Sequence, residues 1–221
     1  MFETLNIRPI LTKYIELPLA KCMHKCGLRP NHITIISLLM CLYSSYLVIS
    51  QNLFSAGLIF FLGSALDLFD GTLSRLTSTS TEFGALLDSV GDRLGESALL
   101  SAIIMLPILH NPQITFVIED YRNVFILEHQ LNAFLIPIGL LALISSQLVS
   151  YARARGESLG VSMKHGLMTR AERVILISIG LITGYLFVAI MIIATLSCLT
   201  LIQRVYKISR DIKTVVNNET K

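Results

Sequence analysis

Residues 53–109 read LFSAGLIFFLGSALDLFDGTLSRLTSTSTEFGALLDSVGDRLGESALLSAIIMLPIL, two apolar runs meeting at a polar stretch that carries four aspartates. Asp67 and Asp70 are spaced i, i+3, and Asp88 and Asp92 are spaced i, i+4. On helices, each pair shares a face. Carboxylates placed at the mouth of such apolar helices are expensive, and by default they mark a functional site turned toward the bundle interior. Four carboxylates converging from two antiparallel helices carry a charge of −4, which two divalent cations neutralise. Ligands that are all oxygen favour a hard ion, Mg²⁺ first and Mn²⁺ second, over zinc.

The rest of the chain supplies the setting. Of 221 residues, 53% are hydrophobic and only 15% are charged, the profile of an all-α integral membrane protein and not of a soluble globule. A span needs about 20 largely apolar residues. Six candidates satisfy this reading, at about 31–50, 53–75, 83–109, 131–155, 170–183 and 186–208, within one domain covering 1–221. The last two come from dividing one apolar stretch near Gly184, because the whole is too long for a single crossing at about 1.5 Å per residue. Residues 8–28 carry Leu11, Ile15, Leu19 and Met23 at helical spacing and read as an interfacial amphipathic helix. The leader does not have the pattern of a cleaved signal peptide.

With six spans, basic residues collect on one side: in the leader, at Arg75, between Arg153 and Arg173, and in the tail. The other side has Arg122 against Glu119, Asp120 and Glu128. This asymmetry places both termini and the aspartates on the cytoplasmic side of the cell membrane. The formal net charge of +3 is then explained by anionic lipid headgroups, with no nucleic-acid partner. Cys22, His24 and Cys26 lack a second Cys/His pair to complete a zinc site. A transporter would distribute acids along a path through the bilayer, whereas here they cluster at one end.

The spacing of Asp67, Asp70, Gly71, Arg75, Gly84, Asp88 and Asp92 resembles the signature D-x2-D-G-x2-A-R-x8-G-x3-D-x3-D of the CDP-alcohol phosphotransferase family, with Ser74 in place of Ala. The resemblance implies that Asp67 and Asp88 bridge two ions, that Asp70 holds the first and Asp92 the second, and that Asp92 is the base. It further implies attack of an alcohol on a CDP-activated lipid with release of CMP, and a homodimer. Gly71 lets a phosphate approach the backbone closely, and Arg75 offers a planar guanidinium to it. Asn31 and Thr34, in Pro30-Asn31-His32-Ile33-Thr34, resemble the family's P-N-x-I-T opening of the first span, near the cytidine. As residue types they also suit a helix start. Thr81 completes the candidate CDP-lipid contacts of Asn31, Thr34, Gly71, Ser74 and Arg75, although its Thr/Ser run also suits a plain connector.

The acceptor is read from two further stretches. Residues 150–157, SYARARGE, and residues 169–173, TRAER, resemble the S-Y-x-K-A-R-A-E and R-P-E-R segments of the branch that makes phosphatidylinositol phosphate or its archaeal counterpart. Arg153 stands for Lys, Gly156 for Ala and Ala171 for Pro. Ser150, Arg153, Arg173 and Arg204 are the candidate residues for an acceptor phosphate, expected to face the aspartates. Such a cluster selects inositol phosphate over free inositol. The alternative acceptor is glycerol 3-phosphate, another phosphorylated polyol.

Overall fold

The computed structural model describes residues 30–77, 81–109, 124–161 and 166–219. The expected interfacial helix at 8–28 lies outside the described residues. Among the described residues six helices follow one another: α1 Pro30–Ile49, α2 Leu53–Thr77, α3 Glu82–Leu109, α4 Val124–Ser158, α5 Arg170–Thr183 and α6 Leu186–Glu219. Each overlaps one of the six apolar segments anticipated from the sequence. Among the described residues three stretches are long and apolar enough to cross a bilayer, namely Pro30–Ile49, Phe134–Ser158 and Leu186–Ile212. The apolar part of α2 that qualifies is shorter, Leu53–Asp67. In α3, Asp88, Asp92, Arg93 and Glu96 interrupt what would otherwise be one apolar run. The 14 residues of α5 cover about 21 Å, less than the roughly 30 Å hydrocarbon core.

The chain forms two compact units, Met1–Ala102 and Ile103–Lys221. In the first, α1 packs along α2 through polar contacts. The Ser37 hydroxyl donates to the Gly63 carbonyl at 2.8 Å, and the Ser44 hydroxyl donates to the Ala56 carbonyl at 2.7 Å. α3 closes on α1 at Gly95, where an added Cβ would stand 2.9 Å from the Cβ of Cys41. Small residues permit this closeness, on which helix association in lipid depends. Hydroxyls thus turn inward while Leu39, Tyr46 and Phe54 turn outward. The pattern suits a protein whose solvent is lipid, since so much exposed apolar surface in water would drive association.

In the second unit, α4 and α5 both pack against α6. α5 begins where Glu172 Oε2 accepts the backbone N–H of Thr169 at 2.6 Å, half of a capping box. It ends at Gly184, whose φ of 81° is the left-handed conformation that terminates helices. That turn reverses the chain into α6 and keeps α5 short. The same exterior rule applies here, with Val188 and Ile202 exposed while Ile190 and Ile193 are buried.

Candidate active site

The helical period and the short connection between α2 and α3 bring their acids together. Asp67 on α2 is buried, with 6% of its surface exposed, and Asp88 and Asp92 on α3 are half-buried. One carboxylate oxygen from each lies within 4.8 Å of the others. Three like charges this close in a partly buried setting repel one another strongly unless a cation or protons intervene. Oxygens across an octahedral Mg²⁺ stand about 4.2 Å apart, at metal–oxygen distances of about 2.1 Å. The three donors therefore fit a small hard divalent ion. Asp70, Gly71, Ser74 and Arg75 belong to α2 by backbone, and the side chains of Asp70, Ser74 and Arg75 lie outside what the structure describes.

The start of α3 meets the start of α1. Thr81 Oγ1 accepts the backbone N–H of Gly84 at 3.0 Å, which makes Thr81 the cap of α3. A Cβ on Gly84 would stand 3.1 Å from Asn31 Oδ1 and 3.0 Å from Thr81 Oγ1, so a side chain there would crowd both. One more contact runs along the same face, where Gly91 lies opposite the Thr34 methyl. Thr34 is buried, and its hydroxyl donates to the Pro30 carbonyl at 3.3 Å. The structure thus joins Asn31, Thr34, Thr81 and Gly84 in one corner of the first unit. It also gives the two threonine hydroxyls backbone partners.

A basic cluster occupies the second unit. Arg173, in the first turn of α5, is 1% exposed, and Arg204 on α6 is 5% exposed. Arg204 Nη1 donates to the Val149 carbonyl of α4 at 2.7 Å, while its buried Nε has no hydrogen-bond partner. The charges of Arg153 and Arg173 both act on Arg204 unfavourably, and that of Glu157 acts favourably. Arg153 is exposed, and its Nε donates to Glu157 Oε1 at 2.9 Å. Ser150 is committed to its own helix, donating to the Ser146 carbonyl at 3.2 Å. The loop before α5 is tied to α6 by the Met168 N–H, which donates to Thr200 Oγ1 at 2.9 Å. At Gly166 in that loop, an added Cβ would stand 3.1 Å from Arg204 Nη2. The charges of Arg153 and Arg173 reach Arg204 and that of Glu157 offsets them in part, a positive setting suited to a phosphate.

The sequence reading did not single out Glu157 or Glu96. Glu157 follows Arg153 by four residues, a pairing visible from helical spacing alone. Glu96 is 4% exposed and continues the ladder of Asp88 and Asp92 by one more turn.

Residues 28–203 match the sequence profile described as CDP-alcohol phosphatidyltransferase. The chain is 32% identical over 209 residues to archaetidylinositol phosphate synthase of Pyrococcus horikoshii, a match covering 94% of this chain and 97% of that protein. It is also 32% identical over 194 residues to phosphatidylinositol phosphate synthase of Corynebacterium glutamicum, covering 85% and 80% of the two chains. In fold it resembles the crystal structure of Mycobacterium tuberculosis phosphatidylinositol phosphate synthase with CDP-DAG bound. The TM-score is 0.72 at 24% identity, over 88% of this chain and 93% of that one. A structure of the same mycobacterial protein with manganese and citrate superposes equally well, with a TM-score of 0.72. The chain belongs to the CDP-alcohol phosphatidyltransferase family.

Proposed function

We propose that this membrane enzyme transfers the phosphatidyl-type or archaetidyl group of a CDP-activated lipid to inositol phosphate and releases CMP. The observation that carries the reading is the convergence of Asp67, Asp88 and Asp92 in a chain this similar to inositol phosphate lipid synthases. The cluster of Arg153, Arg173 and Arg204 supports a phosphorylated acceptor over a neutral one.

Asp67, Asp70, Asp88 and Asp92 would hold two divalent ions, Mg²⁺ by preference. When bound, these ions neutralise the diphosphate oxygens and stabilise an in-line displacement at phosphorus. Asp92 takes the proton of the acceptor hydroxyl as its oxygen bonds to the lipid-side phosphorus. The bond from that phosphorus to the bridging oxygen breaks, and CMP leaves with that oxygen. Asn31, Thr34, Gly71, Ser74, Arg75 and Thr81 hold the CDP portion, while Ser150, Arg153, Arg173 and Arg204 hold the acceptor's phosphate.

We further infer six spans and an interfacial leader helix, with the aspartates and both termini in the cytoplasm, and a homodimeric assembly. The positive-inside bias supports the orientation, because polar substrates then arrive from the side that supplies nucleotides.

The test is CMP release by the purified protein with CDP-diacylglycerol, Mg²⁺ and one acceptor at a time. Inositol phosphate should be turned over, and free inositol should not. Turnover with glycerol 3-phosphate alone would replace the acceptor and leave the aspartate chemistry standing.

A further inference from the structure

One buried acid is left unused by the chemistry above. Glu96 is 4% exposed, four residues beyond Asp92 and eight beyond Asp88, and so continues their face of α3 deeper into the apolar part of the helix. An ionised or neutral carboxyl at such depth is costly, and its retention points to a role. A second and independent observation lies on α2. Ser64 is three residues before Asp67 and on the same face, with 6% exposure. Its Oγ is the one buried side-chain polar atom of the first unit without a hydrogen-bond partner, among the described residues. In an apolar surround an unpartnered hydroxyl carries the full cost of its lost water contacts.

α2 and α3 are joined by a short connection, and Asp67 meets Asp88 and Asp92 at the carboxylates. Moving away from the connection on the same faces, the next polar positions are Ser64 on α2, three residues from Asp67, and Glu96 on α3, four residues from Asp92. We propose that Ser64 and Glu96 form a second polar layer beneath the aspartates and act as positioning residues for the divalent ion held there. Mg²⁺ keeps several of its waters when bound by carboxylates. A coordinated water donates strongly, and Glu96 supplies an acceptor in the direction where no solvent reaches. Ser64 supplies a hydroxyl able to donate or accept on the same floor. Partners of this kind orient the ligands of a metal, and their removal typically lowers metal affinity about 10–100-fold. The proposal rests on the metal-centre reading of Asp67, Asp88 and Asp92.

The test measures Mn²⁺ binding by electron paramagnetic resonance on the purified, detergent-solubilised full chain, without lipid or acceptor. Glu96→Ala should weaken Mn²⁺ binding about tenfold or more. Glu96→Gln, which keeps an acceptor oxygen of the same reach, should recover part of that loss, and Ser64→Ala should show a smaller loss of the same kind. The thermal midpoint of each metal-free variant is recorded alongside to show that it is folded. A folded Glu96→Ala protein that binds Mn²⁺ within twofold of wild type overturns the proposal. So does a Glu96→Leu variant that binds Mn²⁺ as well as Gln, because packing alone would then account for the residue. Asp67→Asn serves as the reference. If it too binds Mn²⁺ normally, the aspartate metal centre itself is wrong, a result distinct from failure of the second layer.

Discussion

Replacing Arg204 with Ala isolates what the basic cluster contributes. In the folded chain the side chain is 5% exposed, its Nη1 is spent on the Val149 carbonyl, and its Nε is buried without a partner. Truncation removes the Val149 hydrogen bond, worth about 0.5–1.5 kcal/mol net, and empties the space the buried side chain fills, while relieving the burial of its charge and the repulsion from Arg153 and Arg173. These effects oppose each other, so the thermal midpoint should fall by only a few degrees at most, at roughly 2–4 °C per kcal/mol. Acceptor binding has no such offset. Loss of one charged hydrogen bond to a phosphate costs about 1.5–3 kcal/mol, which is roughly ten- to a hundredfold in affinity. Arg204→Lys should fall between wild type and Ala, since one ammonium cannot hold the carbonyl and also present a planar fork to the phosphate. The assay is CMP release with inositol phosphate and CDP-diacylglycerol varied in separate series. The acceptor KM should rise sharply while the CDP-lipid KM stays within about twofold of wild type. Equal increases in both constants, or an unchanged acceptor KM, would refute the assignment and leave these arginines with a topological role only.

Asp67→Asn and Asp88→Asn each remove a charge from the proposed metal centre, and CMP release should disappear even at saturating Mg²⁺; near-normal turnover in either would defeat the two-ion assignment. Asp92→Asn should reduce kcat far more than it changes CDP-lipid affinity, as measured with the metal titrated in parallel, and an intact kcat at saturating metal would exclude it as the base. Thr81→Ala distinguishes a cap from a nucleotide contact. Loss of the cap alone costs about 0.5–2 kcal/mol of stability with CDP-lipid KM unchanged, whereas a rise in that KM out of proportion to the stability loss would mark a contact. Gly95→Val should destabilise the protein irrespective of ligands, because its side chain would start 2.9 Å from the Cys41 Cβ; an unchanged thermal midpoint would contradict the close helix packing.

The helices were legible because apolar runs bounded by polar clusters leave few alternatives, and the break near Gly184 was legible because one run exceeded a bilayer's thickness. The shortness of α5 follows from the same glycine, whose left-handed φ no neighbouring residue type would adopt as readily. The juxtaposition of Asp67 with Asp88 and Asp92 was legible for a similar reason. Fixed helical spacing and a short connection convert sequence distance into spatial distance. The Arg204 contact with Val149 was not, since 55 residues separate them and no local period links α4 to α6.

The difference between these two kinds of contact explains where sequence reading stopped. Asp88, Asp92 and Glu96 form one ladder on one helix, yet a signature that ends at Asp92 hides the third rung. The burial of Glu96 identifies it as part of the same face. Ser64 gave no signal at all, because a lone serine in an apolar helix ordinarily bonds back to a carbonyl one turn earlier. Ser45 does this with Cys41 at 3.0 Å, and Ser150 does it with Ser146 at 3.2 Å. Ser64 does not, and only the structure distinguishes a hydroxyl satisfied by its own helix from one without such a partner. The convergence of Asp67, Asp88 and Asp92 is therefore readable from spacing, while the burial of Glu96 and the unpartnered hydroxyl of Ser64 are readable only from the structure.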